Sequence, residues 1–196
     1  MLDAGKDVGV DLTGGYYDAG DNVKFNFPGA SAMTLLAWSG VEFAGAYEKA
    51  GQLNYLYEAV KWGTDYFIKC HTKKDELYAQ VGNGQTDHGY WYPPEYINYE
   101  YPSYKVDASS PGSEVAAETA AYLAAASILF KQKDSAYSAT LLKHAIEIYD
   151  FADTYRGDYT KSVPATGFYS SYSGYTDELV WGAAWLLKAT GDKKYR

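Results

Sequence analysis

The chain contains one cysteine, three histidines, two methionines and six prolines in 196 residues. A single thiol, Cys70, permits no internal disulfide and lies on an apolar stretch, where a free cysteine acts as a small buried hydrophobe. No apolar run reaches the ~18 residues needed to span a bilayer. The N-terminus lacks an apolar signal-peptide core, so a leader is expected either to have been removed or to lie upstream. Basic residues are the minority, 17 against 25 acidic ones, and they are scattered. The resulting net charge of −8 repels polyanions, which argues against nucleic acid as a partner. No phosphate-binding loop, nucleophilic serine motif or clustered His/Cys ligand set is visible.

What the chain does have is aromatic side chains, with 22 tyrosines, 7 phenylalanines and 5 tryptophans. Most such rings fill space between helices. Those in Gly- or Pro-rich loops call for another account, because a ring face stacks on the C–H face of a sugar while a Tyr hydroxyl reaches its hydroxyls.

Periodicity of 3.6 residues predicts five helices, over about 28–50, 53–70, 111–131, 135–155 and 177–190. Pro28 suits a first-turn position, Ser110 is the expected N-cap of the third helix, and Gly51, Gly157 and Gly191 act as stops. A sixth helix is expected to begin at Asp192, which makes the chain read as truncated. The helices fall in consecutive pairs. Between the pairs, 72–110 and 156–176 read as long loops rich in Gly, Tyr, Ser and Asp, a length usually associated with function. The expected architecture is all-α, a barrel of helical hairpins of which about half is present.

The segment Asp11-Leu12-Thr13-Gly14-Gly15-Tyr16-Tyr17-Asp18-Ala19-Gly20-Asp21-Asn22-Val23-Lys24-Phe25 places two carboxylates three residues apart among glycines and tyrosines. Asp18 and Asp21 have the chemistry to hold and deprotonate a water. An Asp/Gly turn bonding its own backbone accounts for the same spacing, whereas an EF-hand calcium loop does not match it. Asp87-His88-Gly89-Tyr90-Trp91-Tyr92-Pro93-Pro94 reads equally as a ligand groove or as rings capping the bundle. Asp177-Glu178 suits either a helix first turn or oxygen ligation of Ca²⁺. Glu114 and Glu118 share one helical face, as a polar edge or a buried network.

The segment from Asp7 to Asp21 closely resembles the start of glycoside hydrolase family 9 catalytic modules. The resemblance continues through Tyr66-Phe67-Ile68-Lys69-Cys70-His71, Pro102-Ser103-Tyr104-Lys105-Val106-Asp107, Pro111-Gly112-Ser113-Glu114 and Asp177-Glu178-Leu179-Val180-Trp181-Gly182-Ala183-Ala184-Trp185. It implies one partial domain over 1–196, a barrel of six helical hairpins when complete, and inverting hydrolysis of β-1,4-glucan.

By the same resemblance Asp21 is the general base and Asp18 its companion. His88, Trp91, Phe168, Tyr169 and Tyr172 contact glucosyl units, with Tyr172 standing where many relatives carry Trp. Ser173 and Gly174 carbonyls with the Asp177 and Glu178 carboxylates hold a structural Ca²⁺. The implied partners are cellulose and cello-oligosaccharides, with carbohydrate-binding or docking modules elsewhere in a full-length chain, and the implied location is extracellular. The family's general acid is a late Glu, and no segment here matches the one that carries it. The isolated chain is therefore expected to be inactive, or to act as a glucan-binding fragment.

Overall fold

The computed structural model describes residues 3–90 and 92–196. Among them are six α-helices: α1 (Asn26–Lys49), α2 (Leu53–Cys70), α3 (Gly84–Tyr90), α4 (Ser113–Phe130), α5 (Ser135–Thr154) and α6 (Thr176–Thr190). Five answer to the expected helices, with ends shifted by up to two residues. No helix among the described residues is long and apolar enough to cross a membrane.

The stretch expected to be a loop over 72–110 instead carries secondary structure. Strands β1 (Lys24–Phe25), β2 (Glu76–Val81) and β3 (Ser103–Asp107) form an antiparallel sheet in that order. Lys24 pairs with Val81 and Leu77 with Val106, and the register slips between Tyr78 and Gln80. All of β2 is buried, so alternation of polar and apolar residues, the usual strand signal, is missing from it. The short helix α3 follows at once, and 3₁₀ turns stand at Pro94–Tyr96 and Tyr159–Lys161.

Helix α4 is the hub. It packs against α1, α5 and α6, and every residue except Ile128 is buried. Its alanines leave the neighbouring helices little to clear, so backbones approach closely. Gly63 on α2 meets α4 in the same way, since a Cβ there would lie 2.5 Å from the Tyr122 hydroxyl.

The helix ends depart from expectation in places. The N-cap of α4 is Gly112, while Ser110 exchanges backbone hydrogen bonds with Asp107. Gly157 lies beyond the end of α5, and its N–H and C=O both bond to Ser113, tying the next loop to the start of α4. Asp134 caps α5 by accepting from the Tyr137 amide. Residues 193–195 form a 3₁₀ turn rather than the start of an α-helix, with Asp192 accepting from the Lys194 amide.

Both acidic residues of α4 are buried, so the network reading of Glu114 and Glu118 holds and the polar-edge reading does not. Glu114 accepts from the Tyr159 amide at 2.9 Å. Glu118 faces Ser31 and Trp181, and burial raises its carboxyl from 4.5 to about 7. The folded chain thus keeps a proton that the unfolded chain has released. Stability from this group is highest below pH 4.5, falls as pH rises toward about 7, and is level above that. Glu118→Gln is expected to stabilise the chain by about 2 kcal/mol at pH 8 and much less at pH 5, a difference read from urea unfolding at the two pH values. Equal gains at both would refute it.

Candidate active site

The acidic loop is built on a buried ammonium. Lys24, on β1, is 1 % exposed, and its Nζ donates to the carbonyls of Leu12 at 2.7 Å and Gly14 at 2.6 Å. The same ammonium lies 4.6 Å from the Tyr66 ring centre and 5.3 Å from that of Tyr17. Burial lowers its pKa to about 8. Gly15 has φ +69° and sits where a Cβ would come within 2.5 Å of Tyr66, so only glycine fits. The indole of Trp62 donates to the Gly15 carbonyl at 2.7 Å.

Beyond that clamp the chain turns back on itself. The Asp21 amide donates to the Asp18 carbonyl at 2.8 Å, and the Asp18 amide to the Val23 carbonyl at 3.0 Å. Between the two acids Ala19 has φ 44°, a left-handed conformation that is uncommon for a residue with a Cβ. The turn therefore closes through backbone bonds, while the two carboxylates face partners elsewhere in the chain.

Each acid has a partner among the residues singled out from sequence. The Tyr169 hydroxyl donates to Asp18 Oδ2 at 2.6 Å, and burial, with that carboxylate beside it, pushes the phenol up to about 12. His88 Nε2 lies 2.7 Å from Asp21 Oδ1. Phe168 stacks on Phe25 at 5.3 Å and lies edge-on to His88 at 4.9 Å, and Tyr169 meets the same Phe25 ring at 5.2 Å. Asp18, Asp21, His88, Phe168 and Tyr169 therefore converge. Tyr172 does not join them, because its side chain is 91 % exposed. Trp91 lies outside the described residues. Tyr90 stacks face to face on Tyr99 at 5.3 Å.

The floor of Asp21 opens onto a hollow of ≈ 360 Å³ lined by Tyr17, Ala19, Gly20, Asn22, Tyr92 and Pro93 among others. The Asp21 side chain keeps 11 % of its surface exposed.

Two positioning residues, Asp87 and Tyr101, carry no signal of their own in the sequence. Asp87 is 5 % exposed and accepts from the Asn22 amide at 2.9 Å, from Asn22 Nδ2 at 3.1 Å and from the Tyr99 hydroxyl. Tyr101 donates to the Asn22 carbonyl at 2.6 Å. Asp87 adjoins His88 just as Asn22 adjoins Asp21, so two neighbouring rungs join α3 to the acidic loop. The adjacency of Asp87 to His88 was the available clue, but nothing local reveals a partner 65 residues away.

A second acidic group stands at the start of α6. Ser173 Oγ is 3.3 Å from Asp177 Oδ2, and the Gly174 carbonyl accepts from Ser171 Oγ at 2.7 Å. The N-cap of α6 is Tyr175 and offers no side-chain hydrogen bond. Burial raises the Glu178 carboxyl to about 8, with the Asp177 and Glu114 charges adding to the rise. Glu178 Oε2 is buried and lacks a hydrogen-bond partner. An orphaned carboxylate oxygen beside a second carboxylate fits the oxygen donors that a hard cation takes.

The expectation that no clustered His/Cys ligands exist is corrected by the fold. His71, His144 and Glu147 lie together, with one ligand atom of each within 4.8 Å of the others. Residues 73 apart in the chain give no local spacing to read.

The family model for Glycosyl hydrolase family 9 matches residues 1–196. The chain belongs to that family. It is 55 % identical over 195 residues to Endoglucanase B of Cellulomonas fimi, covering 99 % of this chain and 19 % of that protein. Endoglucanase 4 of a Bacillus species is 54 % identical, with 99 % of this chain and 31 % of the relative covered. Among solved structures, the endoglucanase of the termite Nasutitermes takasagoensis superposes with a TM-score of 0.93 at 54 % identity, covering 96 % of this chain and 44 % of that one. Endoglucanase CelQ of Clostridium thermocellum, solved with cellotetraose, gives 0.85 at 36 %, covering 96 % of this chain and 30 % of that one. The chain thus spans less than half the length of these family 9 relatives, and its helices match the corresponding part of their helical barrel.

Asp87→Ala is expected to cost about 2–3 kcal/mol, since it orphans donors that are otherwise satisfied. It should also raise amide exchange at Asn22 selectively, while the α4 amides stay protected. Uniform loss of protection, or none at Asn22, would show that Asp87 does not hold this loop.

Proposed function

We propose that this chain carries the general-base half of an inverting β-1,4-glucanase site that cuts internal bonds of cellulose. The observation that carries the reading is Asp21, held by His88 on one side and open to the hollow on the other. A carboxylate in that setting can accept a proton from a water that sits against it. Asp18, fixed by Tyr169, adds a second acceptor for the same water and keeps it oriented. The base needs the water on the face of the sugar opposite the leaving group, and an acid about 6.5–9.5 Å away to protonate the leaving oxygen. On family resemblance no residue of these 196 is that acid, and the proposal for the chain alone is glucan binding without turnover.

Cello-oligosaccharides are the proposed ligands, by kinship with CelQ, whose structures hold cellotriose and cellotetraose. His88, Phe168 and Tyr169 line the cleft around the reacting bond. Trp91 and Tyr172 are assigned to the same glucan on family resemblance, and the 91 % exposure of Tyr172 leaves its ring available to stack on a sugar. The substrate is insoluble, and secretion is proposed on that ground.

In a complete family 9 module containing this sequence, Asp21→Asn should lower kcat on soluble cellulose by about 10³-fold or more with folding intact. Proton NMR of the first product should show the α-anomer, as inversion of a β-linkage requires. Wild-type turnover in the variant, or a β-anomer first, would end this reading.

We further propose that Ser173 and Gly174 carbonyls with Asp177 and Glu178 hold Ca²⁺. The unpartnered Glu178 oxygen and its raised pKa support it, because a divalent cation relieves both. Bound there, it would supply charge neutralisation and tie the 171–175 loop to α6. Calcium should raise the melting temperature of the chain by several degrees, and Asp177→Asn should abolish that rise. An equal rise in the variant would place the ion elsewhere.

A further inference from the structure

We propose that His71, His144 and Glu147 form a binding site for a divalent transition-metal ion, Zn²⁺ by chemistry, that staples the end of α2 to α5. His71 is the C-cap residue of α2 and is 8 % exposed. His144 and Glu147 are spaced i, i+3 on α5 and so project from one face. The two Nδ1 atoms face each other at 2.7 Å, with the rings edge to face at 77°.

The other nitrogen of His71 fixes its tautomer. Its Nε2 lies 3.4 Å from the Lys74 carbonyl, an acceptor only, so the proton resides there and the Nδ1 lone pair points toward His144. A carbonyl behind the ligating ring is the usual outer support of a metal-bound histidine. Burial lowers the pKa of both imidazoles, with Glu147 and Lys143 facing each and Asp75 facing His71, which favours the neutral rings that ligation requires. Glu147 is one-third exposed and makes a 3.9 Å contact with Lys143, loose enough for its carboxylate to swing toward the pair.

Two imidazoles and one carboxylate are a known zinc donor set, with water as the fourth ligand. Nitrogen ligands disfavour Ca²⁺ and Mg²⁺, which separates this site from the acidic group on α6. Metal–nitrogen bonds of about 2.0–2.1 Å in a tetrahedron place the nitrogens about 3.3 Å apart, so the rings need part only slightly. Cys70 stays out of the set, because its sulfur faces Asn26 Nδ2 at 3.6 Å and burial pushes its thiol up to about 12. The three residues are distant from Asp18 and Asp21 in the chain and belong to different elements.

The test is calorimetric titration of Zn²⁺ into the metal-stripped chain at neutral pH, with Ca²⁺ in excess to fill the oxygen sites. One Zn²⁺ per chain with micromolar or tighter affinity is expected, along with a higher melting temperature. Co²⁺ in its place should give the strong visible absorption of a tetrahedral centre. His144→Gln and Glu147→Gln should each weaken Zn²⁺ binding by about tenfold or more and abolish the cobalt spectrum. Should His144→Gln fail to fold by circular dichroism, the more exposed Glu147→Gln decides. Unchanged Zn²⁺ affinity in the folded variants, or millimolar binding by the wild type, would leave only a hydrogen bond between two histidines.

Discussion

The acidic loop depends on one buried ammonium. Between Leu12 and Gly14 the backbone turns through positions that leave carbonyls without partners in any helix or strand, and Lys24 fills that need from below. A buried lysine is costly unless its charge is met, and here it is met by two carbonyl dipoles and two tyrosine faces. Because Lys24 belongs to β1, the loop is registered against the sheet. Since β1 runs straight into α1, the sheet is registered against the helices. Every carboxylate position in the loop inherits this reference.

From that anchor the site is assembled by long-range bonds and not by local turns alone. Asp21 is met by His88 from α3, Asn22 by Asp87 from the same helix, and Asp18 by Tyr169 from the loop after α5. The left-handed backbone at Ala19 persists because these contacts fix both sides of it. The strained residue thus stands between two acids, one of which borders a hollow.

The helices were legible because amphipathic or apolar periodicity and end signals are written within twenty residues. Leu53 to Cys70 matches residue for residue. The sheet was not legible. β1 is two residues long, and β2, buried on both faces, lacks the alternation that marks a strand. Ser110 misled as a cap because Ser and Asp serve β-turns as readily as helix starts. The site residues that sequence pointed to, Asp18, Asp21, His88, Phe168 and Tyr169, came from resemblance, not spacing. Those it missed, Lys24, Asp87 and the His71–His144 pair, are defined by partners far along the chain, where a single sequence has no voice.

The bond between Tyr169 and Asp18 spans 151 of the 196 residues. Helix α4 is buried along almost its whole length against α1, α5 and α6. The segment carrying Tyr169, by contrast, is tied down by a few hydrogen bonds and ring contacts. Such segments open at lower free energy than the core they sit on. A brief lifting of residues 165–175 therefore uncouples Asp18 from its phenol without unfolding a helix. The Asp18 side of the acidic loop is then a register of whether the segment between α5 and α6 is docked.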